Sequence, residues 1–452
     1  MTIATPIATA ALANAVDGRV WLPADPGYEQ EVAGFNAAVR HRPEVVVGAA
    51  CAADVAAAVR HAVAGGLRVS VQATGHGASA PATGGVMITT TRMQGVEIDL
   101  ASRTVTVAAG VRWGAVLEAA AGHGLTAVTG SAPSVGVVGL LLGGGAGPLS
   151  RTLGFASDRL RAVQLVTADG VIRDIDHEND PELFWALRGG KRGFGIVTAV
   201  TVELVELEEL YGGALWFGAE DAARLLPAWA AWSRELPDSV STSAALLRLP
   251  PLPKVPEFLR GRFVLQVRVA AIADEDRATR LVDGLRGLAP RLLDTVGRMP
   301  AKAVGDIHGD PTEPMPAWEA GCLLRDFDEA AASTLLAVAG PGHDLPLAVI
   351  EIRRCGGRMR QAPSEGDAVG GRDAEYSLFI AGAPVPELLD TVIPAVGGGI
   401  VAALTPWATG RTQANFHGAV TDANPESRAW PEAVYRQIVA VRKRVDPQGV
   451  FS

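Results

Sequence analysis

The chain has 452 residues, 48% hydrophobic and 20% charged, with a net charge of −9. This length and apolar content allow a large buried core and two or three domains. No lysine or arginine run stands out, so nucleic acid is not an expected partner. The longest apolar stretch, near Val135 to Leu142, is too short and too glycine-rich to span a bilayer, so no membrane partner is expected either. The N-terminus is alanine-rich, but no basic residue precedes Arg19. It lacks the positive region of a signal peptide, and the chain reads as cytoplasmic. Three widely spaced cysteines, Cys51, Cys322 and Cys355, speak against metal ligation and against a disulfide framework.

In chain order, Arg42–Val47 opens a strand and Asp54–Arg60 opens a helix with apolar residues at 55, 59, 62 and 63. Leu67–Gln72 alternates as a strand and runs into Gly75-His76-Gly77. Glycines on both sides let backbone approach a ligand and hold the imidazole out from the fold. A strand at Val86–Thr89 and a hairpin from Val96 to Val107 follow. A second glycine-rich loop, Gly130–Gly139, leads into Gly143-Gly144-Gly145-Ala146-Gly147. It is not a dinucleotide fingerprint, because Gly143-x-Gly145 is followed at 148 by proline and no Gly-Lys-Ser/Thr follows any glycine run. Thr167–Gly170 is a hairpin turn between Ala162–Val166 and Val171–Ile175. Asn179 is placed as the N-cap of a Glu182–Arg188 helix, which Gly189-Gly190 ends.

From about 206 to 400 the pattern changes. Strands are expected at Gly213–Phe217, Ser243–Leu249, Arg262–Val269, Leu347–Ile352 and Glu375–Ile380, with helices at Glu220–Arg234 and Arg277–Leu288. Long strands interleaved with helices predict an antiparallel sheet covered by helices on one face, and an α+β fold. Ser427–Arg444 predicts an amphipathic helix with Trp430, Val434, Ile438 and Val441 on one stripe.

The ordered set of motifs adds Asp180-Pro181-Glu182-Leu183-Phe184-Trp185, Gly193-Phe194-Gly195-Ile196-Val197, Asn415-Phe416 and Asp446-Pro447-Gln448-Gly449 to the two glycine loops. From about Arg42 to Phe451 the chain resembles the FAD-linked oxidases of the berberine bridge enzyme-like group, in the vanillyl-alcohol oxidase superfamily with its PCMH-type FAD-binding domain. The resemblance implies a discontinuous FAD-binding domain, 1–205 and 401–452, and a substrate domain, 206–400, whose sheet roofs the flavin. It implies FAD bonded at its 8α-methyl to His76. Gln72, Thr74, Gly75, Gly77 and Ala78 of the first loop are implied as cofactor contacts, as are Gly130, Ser131, Ser134, Val135, Gly136 and Gly139 of the second. Gly195, Val197 and Asn415 complete that set. Tight glycine turns can cradle a pyrophosphate through backbone N–H groups without basic side chains.

Three departures from the family pattern matter. Ala132 stands where many relatives carry a cysteine bonded to the flavin, so a single histidyl link is expected. Gln72 replaces an arginine. Phe416 replaces the tyrosine that serves alcohol-oxidising relatives as base, and phenylalanine cannot take a proton. Phe416 is therefore expected as a pocket wall, with Glu351 and Tyr376 as candidate catalytic residues from the substrate sheet. His417 is expected to face away from Phe416, and His308 to lie in a surface loop. Val135 is the small type that lets dioxygen approach in this family.

The expected activity is oxidation of a small organic molecule by hydride transfer to covalent flavin, reoxidised by dioxygen to give hydrogen peroxide. The low lysine count and the alanine- and glycine-rich composition hint at a GC-rich bacterial genome, whose members of this family often tailor secondary metabolites. A carbohydrate oxidase of the same family, and a flavin-binding protein without turnover, stay open as alternatives. The oligomeric state is not legible.

Overall fold

The computed structural model describes residues 6–451. Residues 1–5 and 452, the outermost parts of the expected FAD unit, lie outside the described residues. Three sheets of four or more strands organise the chain. The first is four-stranded, in the order Arg19–Trp21, Val45–Gly48, Val86–Thr89, Val69–Gln72. Its last three strands run parallel. Val45–Gly48 and Val86–Thr89 are buried along their whole length, as parallel strands covered on both faces must be. The helix Ala52–Ala64 covers one face through Val55, Ala58, Val59 and Ala62. Asp446 pins the end of the chain here, accepting from the N–H groups of Val450 and Phe451 at 2.8 Å each. Val450 in turn accepts from the N–H of Val69 at 2.7 Å, next to the first glycine loop.

The second sheet is five-stranded and antiparallel, built on Val96–Asp99, Thr104–Ala108, Ile196–Glu203, Leu160–Val166 and Ile172–Ile175. Its core takes in Trp430, Ile438 and Val441 from near the C-terminus. The helix Pro181–Leu187 is capped by Asp180, which accepts from the N–H of Leu183 at 3.1 Å, and not by Asn179. Asp180 is in the left-handed region (φ 58°), and Pro181 fits the first helical turn, where no N–H is needed.

The third sheet has eight strands and is antiparallel throughout. All five strands expected between 206 and 400 are present, the longest being Glu209–Gly218. Three more, Arg291–Asp294, Gly297–Pro300 and Glu319–Leu324, were not anticipated. Helices Ala222–Arg234, Glu275–Arg286, Glu329–Ala339 and Val392–Ala403 cover one face. Asp274 and Asp328 cap two of them, accepting backbone N–H groups at 2.9 and 2.8 Å. The buried residues of that core lie between Tyr211 and Leu404, with Trp407 and Ala408 packed against them.

Side chains alternate strictly across this sheet. Leu265, Val267, Val269, Ala244, Ile350, Ile352, Cys322, Leu324, Tyr376 and Leu378 enter the helix-covered core. Their neighbours Gln266, Arg268, Ser243, Glu351, Arg353, Glu319, Ser377 and Phe379 take the opposite face. This corrects the expectation for Tyr376. It is buried on the helix side against Trp229 and Phe327, and its hydroxyl meets Ser233 Oγ at 2.9 Å. Among the described residues no helix is long and apolar enough to cross a membrane. We predict that Tyr376→Phe lowers stability by about 0.5–1.5 kcal/mol, the loss of one buried hydrogen bond. Urea denaturation measures it, and any flavin chemistry should persist at an undiminished rate.

Candidate functional site

His76 joins the two glycine loops. Its Nδ1 lies 2.9 Å from Thr74 Oγ1 and its Nε2 3.3 Å from Ser134 Oγ. Its ring stacks on Phe35, with centroids 3.8 Å apart and planes 12° from parallel. Burial, assisted by the charge of Arg112 and opposed by Asp310, lowers its pKa to about 4. The imidazole is therefore neutral at neutral pH, with a lone pair available. Gly75 makes the turn possible. It sits at φ 72°, and a Cβ there would lie 2.6 Å from the Cα of Gly34. At Gly77 and Gly139 an added Cβ would meet nothing within 4 Å, so both loops open their backbone onto free space. That is the geometry a bound pyrophosphate and ring system requires, and the neutral ring between the loops fits FAD.

The other expected cofactor contacts sort into two groups. Thr74, Gly77, Ala78, Ser131, Ser134, Val135 and Gly139 lie partly or fully open along the loops, or touch His76 directly. Ser131 Oγ donates to Asp310 Oδ2 at 2.7 Å, which ties the second loop to the segment before the unanticipated strand. Asn415 Nδ2 donates to the Leu140 carbonyl at 2.9 Å, while its Oδ1 accepts from Lys191 Nζ. A side chain at Gly143 would collide with Asn415, so that glycine makes room for the amide. Gln72 differs from the expectation. It points inward, with its amide holding the carbonyls of Val32 and Ala33 at 3.2 and 3.3 Å. Gly130, Gly136 and Val197 are buried and Gly195 is half-buried, and all four serve packing. Added atoms at Gly195 would meet the Val166 carbonyl at 2.6 Å, and at Gly130 the Leu140 side chain at 3.1 Å.

Above the loops lies the polar face of the eight-stranded sheet. Glu351 is only 1% exposed on its side chain and is held by two guanidinium groups and an imidazole. Arg268 Nη1 lies 2.7 Å from Oε1, Arg353 Nε 2.8 Å from Oε2, and His308 Nε2 3.2 Å from Oε1. Burial alone would raise its carboxyl, but Arg353, Arg268 and His308 together hold it well below the ordinary value. A carboxylate so strongly stabilised is a poor proton acceptor. Glu351, a candidate catalytic residue by sequence, is instead the anchor of a buried ion cluster. His308 is not in a surface loop: it is buried, and burial and Arg268 lower its pKa. Arg353 lies over the Phe416 ring at 4.9 Å, and Phe416 packs on Phe379 at 5.0 Å. Phe416 thus forms a wall of the cleft, on a short 3-10 turn rather than an extended segment. His417 is turned into a structural network, with Nδ1 2.6 Å from Thr412 Oγ1 and Nε2 3.2 Å from the Asn424 carbonyl.

Two groups in this cleft were not singled out by sequence. Lys191 sits in the left-handed region at φ 72°, and burial and the charge of Arg192 lower its ammonium to about 8. Glu319 is raised to about 7 by burial and by Asp310, against the pull of Arg353 and Lys191.

Residues 43–176 match the model of an FAD-binding domain. Over 194 residues the chain is 39% identical to the (R)-6-hydroxynicotine oxidase of Paenarthrobacter nicotinovorans, an alignment covering 42% of each protein. The crystal structure of 6-hydroxy-D-nicotine oxidase from Arthrobacter nicotinovorans superposes with a TM-score of 0.82, 26% identity and 96% of both chains covered. A glucooligosaccharide oxidase from Acremonium strictum, described as carrying a 6-S-cysteinyl, 8α-N1-histidyl FAD, shares the fold with a TM-score of 0.82 at 19% identity over 98% of both chains. The chain therefore carries an FAD-binding domain within the α+β fold of FAD-linked oxidases.

Glu351→Gln should cost about 3–5 kcal/mol of unfolding free energy, because it leaves buried cations without their anion. Chemical denaturation at neutral pH measures this. A cost under about 1 kcal/mol would mean that the cluster is not held together by the carboxylate.

Proposed function

We propose that this chain is an FAD-dependent oxidase that dehydrogenates a small organic molecule and passes the electrons to dioxygen. The observation that carries this reading is His76, a neutral, half-buried imidazole bridging two glycine loops that open onto free space. Bound FAD supplies the two-electron acceptor, taking hydride and returning the electrons to dioxygen as hydrogen peroxide.

The chain's own residues supply the rest. The loops around Gly77 and Gly139 hold the pyrophosphate without basic side chains. Thr74 and Ser134 fix the His76 ring so that one nitrogen can bond the 8α-methyl of the flavin. Low basicity matters here, because a protonated imidazole has no free lone pair to form that bond. Ala132 leaves the second loop without a thiol. The Cys322 and Cys355 thiols are buried and pushed up to about 12, so neither is a ready nucleophile. The link is single. Phe416, Phe379 and Arg353 wall the substrate cleft and keep it dry. In this reading 1–205 with 401–452 form the FAD unit, and 206–400 forms the substrate unit, in a cytoplasmic protein. The aromatic wall favours an aromatic or heteroaromatic donor, such as a secondary-metabolite intermediate, over a carbohydrate.

Acid precipitation should leave flavin with the pellet of wild-type protein and release it from His76→Ala. A peptide digest should show one flavinylated peptide, containing His76. A colourless wild-type pellet, or a cysteinyl-flavin peptide, would contradict the assignment.

A further inference from the structure

With Phe416 unable to take a proton, Glu351 locked in its ion cluster and Tyr376 on the wrong face of the sheet, the cleft needs another acceptor. Glu319 is on the strand Glu319–Leu324, with Gly321 and Leu323 on its face, while Trp318 turns to the opposite side against Gly397. Gly321 is the next residue on that face and abuts Phe416: a Cβ there would lie 2.7 Å from the Phe416 carbonyl. The chain leading to Glu319 is tied directly to the His76 loop. Asn36 donates to the carbonyls of Ala78 and Ala317 at 2.9 and 3.0 Å and accepts from the Ala317 N–H at 3.0 Å.

Three charged groups act on Glu319, each from a different element. Asp310 is bonded to Ser131 of the second loop. Lys191 is bonded to Asn415. Arg353 comes from the strand Leu347–Arg354, on the same face of the sheet. Glu319 thus lies within the field of Asp310, Lys191 and Arg353, on a strand whose preceding residues are tied to the first loop through Asn36 and whose Gly321 abuts Phe416. It makes no hydrogen bond or ion pair of its own among the described residues, so its carboxylate is not committed to a structural partner.

We propose that Glu319 is the catalytic base, accepting the N–H or O–H proton of an amine or alcohol donor. This rests on the oxidase reading. The donor, written H–C–X–H with X nitrogen or oxygen, loses hydride from carbon to the flavin and a proton from X to the Glu319 carboxylate. The C–H and X–H bonds break, a C=X double bond forms, and the flavin gains two electrons. The resulting carboxylic acid returns its proton to water after product leaves. A carboxyl titrating near pH 7 is suited to this exchange at neutral pH.

Glu319→Gln, examined in FAD-loaded protein, tests the proposal in two ways. The first is stability. A carboxyl raised from 4.5 to about 7 binds its proton more tightly in the folded chain. The fold therefore loses stability as pH rises from about 4.5 to 7 and carries the full cost above that range. Glu319→Gln should raise Tm at pH 8 and leave it nearly unchanged at pH 4, whereas loss of a structural contact would lower it at both. The second is anaerobic flavin reduction by the fastest member of a panel of secondary amines, benzylic alcohols and aldoses. The rate should fall about 10²- to 10⁴-fold, and the limb near pH 7 should vanish, with flavin content unchanged. Wild-type reduction rates and pH profile in flavin-loaded Glu319→Gln would overturn the base and leave the oxidase standing. A wild-type flavin reduced by no member of the panel would overturn both.

Discussion

The buried Glu351 carboxylate organises the roof of the site. It is surrounded by the Arg268 and Arg353 guanidinium groups and the His308 imidazole. Its negative charge is the condition for placing two guanidinium groups on the inner face of a sheet. Arg353, once held, lies over Phe416 and sets the position of the aromatic wall. The same guanidinium acts on Glu319 and opposes its loss of charge-stabilising solvent. Removing the anion would not simply weaken the fold. It would leave the Arg353 guanidinium uncompensated against the Phe416 ring.

Strand alternation carries this arrangement. One face of the eight-stranded sheet is apolar and packs on helices, so it supplies the burial that stabilises the unit. The other face carries only smaller apolar clusters, around Ala245, Leu247 and Val264 and around Leu210 and Ala270, and also holds the charged groups. The floor of the site comes from different physics. Glycines at 75 and 77 in a turn, and Gly139 in the short helix Val137–Leu141, bring backbone and the His76 ring to the surface, with side chains kept away. In the proposed function, a polar, titratable roof over a floor of backbone and neutral imidazole separates two tasks: the floor holds the cofactor, and the roof handles the donor and its proton.

The floor was legible in the sequence because its signals are local. Gly75-His76-Gly77 and the Gly130–Gly139 loop state their conformation in a few consecutive residues. The roof was only partly legible. Alternation in Leu347–Ile352 and Glu375–Ile380 told which residues share a face, but not which face the helices cover. Tyr376 was therefore assigned to the wrong side. His308 lies in Ile-His-Gly-Asp, a turn-like string, and its burial comes from Arg268 and Glu351 on distant strands. Glu319 follows a proline-rich run and precedes Ala-Gly-Cys, a weak strand signal. Its pairing is supplied by Tyr376–Gly382 across the sheet, and its charged neighbours converge from three other segments. Lys191 was hidden for the same reason, since its partner Asn415 lies far along the chain.

A crystal structure of the protein purified with its flavin tests the central claim most directly. The account predicts continuous density from the His76 ring to the flavin, the isoalloxazine lying between the two glycine loops and the face bearing Arg353 and Phe416, and the Glu319 carboxylate facing the flavin. Flavin density detached from His76 or bound elsewhere, or Glu319 turned away to bulk solvent, would contradict it.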